Sequence, residues 1–173
     1  MDNNEQSGPT SELNDDDKEP NSSPSATERY ALRCPLGKGA FGDVYEAWDH
    51  QFNAKVAIKV IPHHNSNEVR ARRMLREVRL LAHFRNHPHI IGLKDILIFP
   101  QWHGGLPALA LVMEFMSTTL HELLEKLDIF SVLVHHIMKQ ILIALDVLHS
   151  SNVMHRDLST RNVLISKREG KVV

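Results

Sequence analysis

His155-Arg156-Asp157-Leu158-Ser159-Thr160-Arg161-Asn162-Val163-Leu164-Ile165 is the stretch on which the fold is decided. With each residue type used at about 5%, His-Arg-Asp followed by Asn at this offset arises by chance in roughly one chain in a thousand of this length. It comes after a long apolar pattern in which Leu133, Ile137, Ile141, Leu145 and Leu148 form one helical stripe. Such a stripe is expected to be core.

Upstream lies Leu36-Gly37-Lys38-Gly39-Ala40-Phe41-Gly42-Asp43-Val44. Gly-x-Gly-x-x-Gly is a weak signal alone, since at about 7% glycine it occurs by chance in roughly one such chain in twenty. Its surroundings sharpen it. A dinucleotide fold needs a helix directly after the last glycine, whereas here Val44 to Trp48 reads as a strand, and the glycines sit in a hairpin able to lie over phosphates. Without Cβ atoms, backbone N–H groups can approach anionic oxygens closely. Next comes Lys55 to Ile61, where period two puts Val56, Ile58 and Val60 on one face and Ala57 with Lys59 on the other. A lysine on a buried strand is costly unless its charge is paired. Glu77 is the candidate partner: it lies one residue from the apolar stripe of an amphipathic helix marked by Ala71, Met74, Leu75, Val78, Leu81 and Ala82.

The remaining elements follow the same rules. Leu32, Cys34 and Leu36 alternate ahead of the glycines, Ile96 to Phe99 and Ala108 to Met113 read as strands, and the loop between these two holds Pro100, Gly104, Gly105 and Pro107. Ser117 or Thr118 is the expected cap of a helix carrying Leu120, Leu123, Leu124 and Leu127. Residues 1–27 hold seven acids (Asp2, Glu5, Glu12, Asp15, Asp16, Asp17, Glu19) against Lys18, so the rest of the chain is basic. With Leu13 as its only large aliphatic besides Met1, that segment is expected to be a disordered acidic tail. It lacks the apolar run of a signal peptide, and no later stretch approaches the ~20 apolar residues that span a bilayer. One cysteine, Cys34, excludes an internal disulfide and points to the cytosol or nucleus. The histidines His63-His64, His83, His87, His89 and His135-His136 have no cysteine or carboxylate at a zinc-like spacing, so they are not read as a metal site.

Val56-Ala57-Ile58-Lys59 and the His-Arg-Asp string together resemble a eukaryotic protein kinase domain from about Arg29 to Val173. The resemblance implies an α+β, two-lobe fold: a five-stranded antiparallel sheet plus one helix over 28–116, including the hinge, and the start of a helical lobe over 117–173. It implies ATP and Mg²⁺ as cofactors. Leu36, Gly37, Lys38, Gly39, Ala40, Phe41, Gly42 and Val44 would form the phosphate-covering loop, Ala57 an adenine contact, and Lys59 the α/β-phosphate ligand held by Glu77. Asp157 would be the catalytic base, Asn162 a Mg²⁺ ligand, and Arg156 a brace for the activation loop. Met113 resembles the residue at the back of the pocket, with Glu114-Phe115-Met116 as the hinge. Protein substrates and an upstream kinase are the implied partners, with no nucleic acid and no membrane.

Within that family, Arg73-Met74-Leu75-Arg76-Glu77, Asn86-His87-Pro88-His89-Ile90-Ile91-Gly92-Leu93-Lys94-Asp95 and Met116-Ser117-Thr118-Thr119-Leu120-His121 resemble the mitogen-activated branch. Three departures stand out. Ser159 replaces the lysine that serine/threonine kinases carry two residues after the base, and Arg161 resembles the tyrosine kinases instead and is read as the replacement cation. Thr119 stands where the branch offers an aspartate to the ribose. After Asn162 only eleven residues remain, and Gly170-Lys171-Val172-Val173 looks like the strand leading into Asp-Phe-Gly, which these residues do not reach. The expected parent function is ATP-dependent phosphoryl transfer to serine or threonine, with these residues inactive alone. The alternatives are a tyrosine-type specificity and a catalytically dead, partner-binding module. Arg73, Arg76 and Arg156 are an expected pocket for a phosphothreonine.

Overall fold

The computed structural model describes residues 26–39, 42–62, 68–102, 106–126, 131–167 and 169–173. The expected tail over 1–25, the loop residues Ala40 and Phe41, His63-His64, Gly104-Gly105 and Leu127 lie outside the described residues. A helical turn, α1 (Ala26–Arg29), occupies the last two positions assigned above to the tail and leads into β1 (Tyr30–Gly39).

The strand β3 (Ala54–Pro62) organises the sheet because its alternation is nearly pure. Val56, Ile58 and Val60 are buried completely or almost so, and with Tyr30, Ala47, Phe99, Ala108, Ala110 and Val112 they form the core of one sheet face. On one side β3 pairs antiparallel with β2 (Gly42–Asp49), on the other with β5 (Leu106–Glu114), which in turn pairs with β4 (Leu93–Trp102). The order β1-β2-β3-β5-β4 leaves β1 and β4 as edges. The five-stranded antiparallel sheet is the one the sequence predicts.

Both edges are fastened at one point. Arg29 donates to both carboxylate oxygens of Asp49 at the end of β2 (3.2 and 3.0 Å) and to Asp95 on β4 (3.0 Å), which also accepts from the Tyr30 hydroxyl at 3.1 Å. Asp49 is fully buried and also accepts from the Gln51 and Phe52 amides, so it caps the turn into β3. Burial pushes the Asp49 carboxyl up, but the Arg29 guanidinium and the two amides outweigh it and hold its pKa below the usual value.

The helix α2 (Glu68–Phe84) covers the expected amphipathic stretch, but its stripe is not core: Leu75 is 49% exposed and Phe84 is its only buried residue. Among the described residues, no element is layered over the outer part of that face.

After β5, β6 (Thr118–Thr119), β7 (Leu164–Ser166) and β8 (Lys171–Val172) form a second, three-stranded sheet in that order. The cap of α3 (Leu120–Lys126) is Thr119, which departs from the expected Ser117 or Thr118. Its Oγ1 accepts from the Glu122 amide (3.1 Å) in a Thr-x-x-Glu arrangement, while Thr118 donates to the Glu122 carboxylate (2.7 Å) and Ser117 to the Ile165 carbonyl (3.1 Å). The displacement has a clear cause: Thr118 and Thr119 are engaged in strand pairing with β7, so the helix cannot start until that pairing ends.

The long helix α4 (Ser131–Ser150) packs through Ile137 against Val163, Ile165 and Val172, with Ile141 alongside. Its expected core stripe is only partly covered, since Leu133 is exposed and Leu145 and Leu148 are half-buried. Buried Gln140 fixes α4 to β8 by accepting from the Val172 amide (2.9 Å) and donating to the Gly170 carbonyl (3.1 Å). No helix among the described residues is long and apolar enough to cross a membrane.

Candidate active site

Lys59 is placed by register. On β3 it lies between Val44 of β2 and the fully buried Leu111 of β5, on the face opposite the core residues. The side chain is mostly covered, and its Nζ meets Glu77 Oε1 of α2 at 2.6 Å. The ion pair joins α2 to β3 at the cleft. Ala57, two residues earlier on the same face, is buried and pairs with Met113 of β5, which brings the expected adenine contact and the expected back-wall residue side by side.

The β1–β2 hairpin closes through a Gly39–Gly42 pair on either side of Ala40 and Phe41. Gly42 has φ +132, and a Cβ there would lie 2.3 Å from the Val60 carbonyl oxygen, so only glycine fits. Gly37 has open space around it, with nothing within 4 Å of a Cβ. Leu36 and Lys38 are exposed and Val44 is half-buried.

The catalytic-type loop is anchored from α3 and folded on itself. Leu120 N–H donates to Val163 O (2.8 Å) and His121 N–H to Thr160 O (2.9 Å). Inside the loop, Asn162 Nδ2 donates both to the Asp157 carbonyl (2.7 Å) and to its carboxylate (2.9 Å), and Asp157 N–H donates to His155 Nδ1 (3.3 Å). Arg156 adopts φ 64, a left-handed conformation that costs about 1–3 kcal/mol in a residue with a side chain. The turn it makes lies directly before the Asp157 carboxylate. Ser159 and Arg161 are exposed.

Lys59, Glu77, Asp157 and Asn162 line one cleft of ≈ 900 Å³ between α2, α4 and the loop. Arg73, Arg76 and Arg156 line it too, so the three expected phosphate-binding arginines open on the same space. The glycine hairpin, Ala57, Met113, Glu114, Met116 and Arg161 do not line this cleft. No cluster of three or more metal-ligating side chains of the His, Cys, Asp and Glu type occurs among the described residues. For a hard cation shared with a phosphate the donor set fits only in part, since it brings a neutral amide where a carboxylate ligand is also required. The amide nitrogen of Asn162 is committed to Asp157, and its Oδ1 is the side-chain atom left for a cation.

A joint that sequence reading missed lies at Glu114, the last residue of β5. Glu114 Oε1 accepts from the Gly92 amide (2.8 Å), its Oε2 meets Lys171 Nζ (2.6 Å), and its own N–H donates to Gly92 O (3.0 Å). No local motif marks these residues, since the joint assembles segments far apart in the chain.

The model of the protein kinase domain matches residues 30–173. This chain belongs to the protein kinase domain family. Among its kinase relatives, it is 40% identical over 141 residues to "Mitogen-activated protein kinase HOG1" of Cryphonectria parasitica, and 39% identical over the same length to "Mitogen-activated protein kinase hog-1" of Neurospora crassa. It is also 40% identical to "Mitogen-activated protein kinase hog1" of Blastobotrys adeninivorans. The match takes in 82% of this kinase chain and 38% of the first two relatives, 34% of the third. The likeness to the mitogen-activated branch read from the sequence is therefore that of the relatives as well.

Proposed function

We propose that this sequence forms the nucleotide cleft and catalytic loop of an ATP-dependent kinase that phosphorylates serine or threonine hydroxyls of proteins. The observation that carries the reading is the opening of the 2.6 Å Lys59–Glu77 pair on the same cleft as the Asp157–Asn162 pair. Mg-ATP, when bound, supplies the phosphoryl group and the neutralisation of its charge. Lys59, fixed by Glu77, holds phosphate oxygens by charge. The glycine hairpin offers backbone N–H groups above them, and the hinge at Glu114 and Met116 meets adenine through its backbone. Asp157, oriented by Asn162, takes the proton of the substrate hydroxyl at its carboxylate. Exposed Arg161 supplies the cation that Ser159 does not, and Asn162 is the residue that would hold Mg²⁺ through its Oδ1.

The test is phosphate transfer by a chain extended to the length of its relatives. Asp157→Asn is expected to lower kcat by about 10²- to 10⁴-fold, the usual contribution of a positioned general base, with the KM for ATP little changed. Equal kcat in the two proteins contradicts the assignment. One observation favours a second reading, a partner-binding module without transfer activity. The outer face of α4 exposes Met138, Leu142 and Ile143 together. An extended chain that binds protein partners but shows no Asp157-dependent transfer would support it.

A further inference from the structure

The helix α2 carries five arginines, Arg70, Arg72, Arg73, Arg76 and Arg79, against two acids, Glu68 and Glu77. Both acids are engaged, Glu68 with Arg72 at 2.6 Å on the surface and Glu77 with Lys59 in the cleft. Among the described residues, Arg73, Arg76 and Arg79 have no acidic partner. All five arginines are exposed. Arg72, Arg76 and Arg79 follow one another at spacings of four and three, which stacks them in one stripe along the helix. Leu75 lies three residues after Arg72 and four before Arg79, so it borders that stripe, and half of it is exposed. Like charges at these spacings oppose the helix, and an anion laid along them relieves the repulsion.

We infer that this stripe is the docking site of the chain's own segment 12–19, with Leu13 against Leu75 and the carboxylates of Asp15, Asp16 and Asp17 along Arg72, Arg76 and Arg79. Charge chooses the occupant first: residues 12–19 hold Glu12, Asp15, Asp16, Asp17 and Glu19 against Lys18. The segment also brings one large aliphatic, Leu13, to match the exposed leucine beside the arginines. Reach is sufficient. Glu19 and Glu12 precede Ala26 by seven and fourteen residues, a span of at most ~25 to ~50 Å, and α2 is about 25 Å long. The far end of the tether is fixed, because Arg29 of α1 is held by Asp49 and by Asp95 of β4. A ligand on so short a tether acts at roughly millimolar effective concentration, so weak surface charge pairing is enough to keep it on the helix. Arg76 also lines the cleft, which puts the docked segment at the cleft's rim. A nucleic acid or the segment of a second copy would meet the same charges, but neither is tethered to the helix.

The test uses the 173-residue chain with Cys34→Ser and a nitroxide attached at Ser11→Cys. Paramagnetic loss of amide signal is read across residues 72–79, with the buried Val163 and Ile165 as references. The α2 signals should be lost selectively. They should return in about 1 M salt, where screening acts within ~3 Å, and in the variant carrying Arg72→Gln, Arg76→Gln and Arg79→Gln. In a mixture of isotope-labelled chain without nitroxide and nitroxide chain without isotope, the α2 signals should stay intact. Their loss there would mean contact with a second copy and would overturn the proposal. A fluorescent peptide copying residues 10–20 should bind the chain carrying Asp15→Asn, Asp16→Asn, Asp17→Asn and Glu19→Gln about tenfold more tightly than the parent, whose own segment occupies the stripe. That neutralised chain keeps every residue of α2, so it decides the matter if the arginine variant does not fold. Unchanged α2 signals in the nitroxide chain, or equal peptide affinity in the two chains, overturns the docking. So does an oligothymidine that binds the parent and the neutralised chain equally, since the stripe would then be open in both.

Discussion

At Gly42 a φ of +132 and the Val60 carbonyl oxygen, 2.3 Å from any added Cβ, leave no room for a side chain. Gly42→Ala should therefore destabilise the chain by at least the strain of such a backbone, about 1–3 kcal/mol. Gly37→Ala, with open space around it, should stay within about 0.5 kcal/mol of the parent. Urea denaturation of the two variants checks both, and equal midpoints would contradict the account of the hairpin. Lys59→Met should leave the urea midpoint near that of the parent, because the lysine faces the cleft and not the core, while nucleotide affinity falls about tenfold or more. Residues of this kind were legible in the sequence for a simple reason. Period two within its own strand gives the face of Lys59 and the offset from one stripe gives that of Glu77, whereas the roles expected of Asp157 and Asn162 came only from the resemblance of their string to the kinase family. Glu114 and Lys171 were not legible as partners because nothing local to either residue encodes the 2.6 Å contact.

Elements were legible where the pattern within them is decisive. The alternation Val56, Ile58, Val60 identifies β3 and its buried face, and the outcome is a fully covered row. The stripes of α2 and α4 identify helices but overstate burial, because a period of 3.6 tells which face is apolar and not whether another layer covers it. The cap of α3 moved to Thr119 because strand pairing with β7 claims Thr118, a tertiary constraint absent from the local sequence. Thr119→Ala should cost about 1 kcal/mol, read as a lower thermal midpoint, whereas Ser117→Ala should not unwind the start of α3 as read by exchange at the Glu122 amide. The tie between sheet edges is stronger. Removing the buried Asp49 carboxylate leaves a partly covered guanidinium with one acid in place of two and two turn amides without their acceptor, so Asp49→Ala should destabilise by about 3 kcal/mol in urea denaturation, with little loss contradicting the role of the tie. A pH dependence follows from the loop after α2. Burial, with neighbouring His89 adding to it, holds the His87 imidazole below its ordinary 6.5, and its Nδ1 accepts from the His89 amide at 3.3 Å. The unfolded chain then takes up the proton first, so this contribution to stability is complete above pH 6.5 and is lost as pH falls through the lower folded value. Chemical denaturation between pH 7.5 and 5 should show that decline, and His87→Gln should flatten part of it.

Over the whole molecule, α2, α4 and the loop around Asp157 enclose one cleft that Lys59 of β3 reaches, while the outer face of α4 is left uncovered around Met138, Leu142 and Ile143 among the described residues. The chain spans 38% of the length of the curated relatives it matches most of the way. The 173 residues alone are expected not to transfer phosphate, because transfer depends on positioning and on metal neutralisation of charge, and Asn162 brings a neutral amide where a carboxylate is also required. Mg-dependent turnover by these residues that vanishes in Asp157→Asn would contradict this. Exposed Leu142 and Met138 should also make the isolated chain self-associate in sedimentation, and Leu142→Glu should reduce the association. The central claim is that these residues by themselves already build a nucleotide cleft around Lys59 and Glu77. Its most direct test is calorimetric titration of Mg-ATP into the 173-residue chain and into its Lys59→Met variant. Saturable binding by the parent, weakened about tenfold or more in the variant, is the predicted result; no binding, or binding of equal strength in the two proteins, would contradict it.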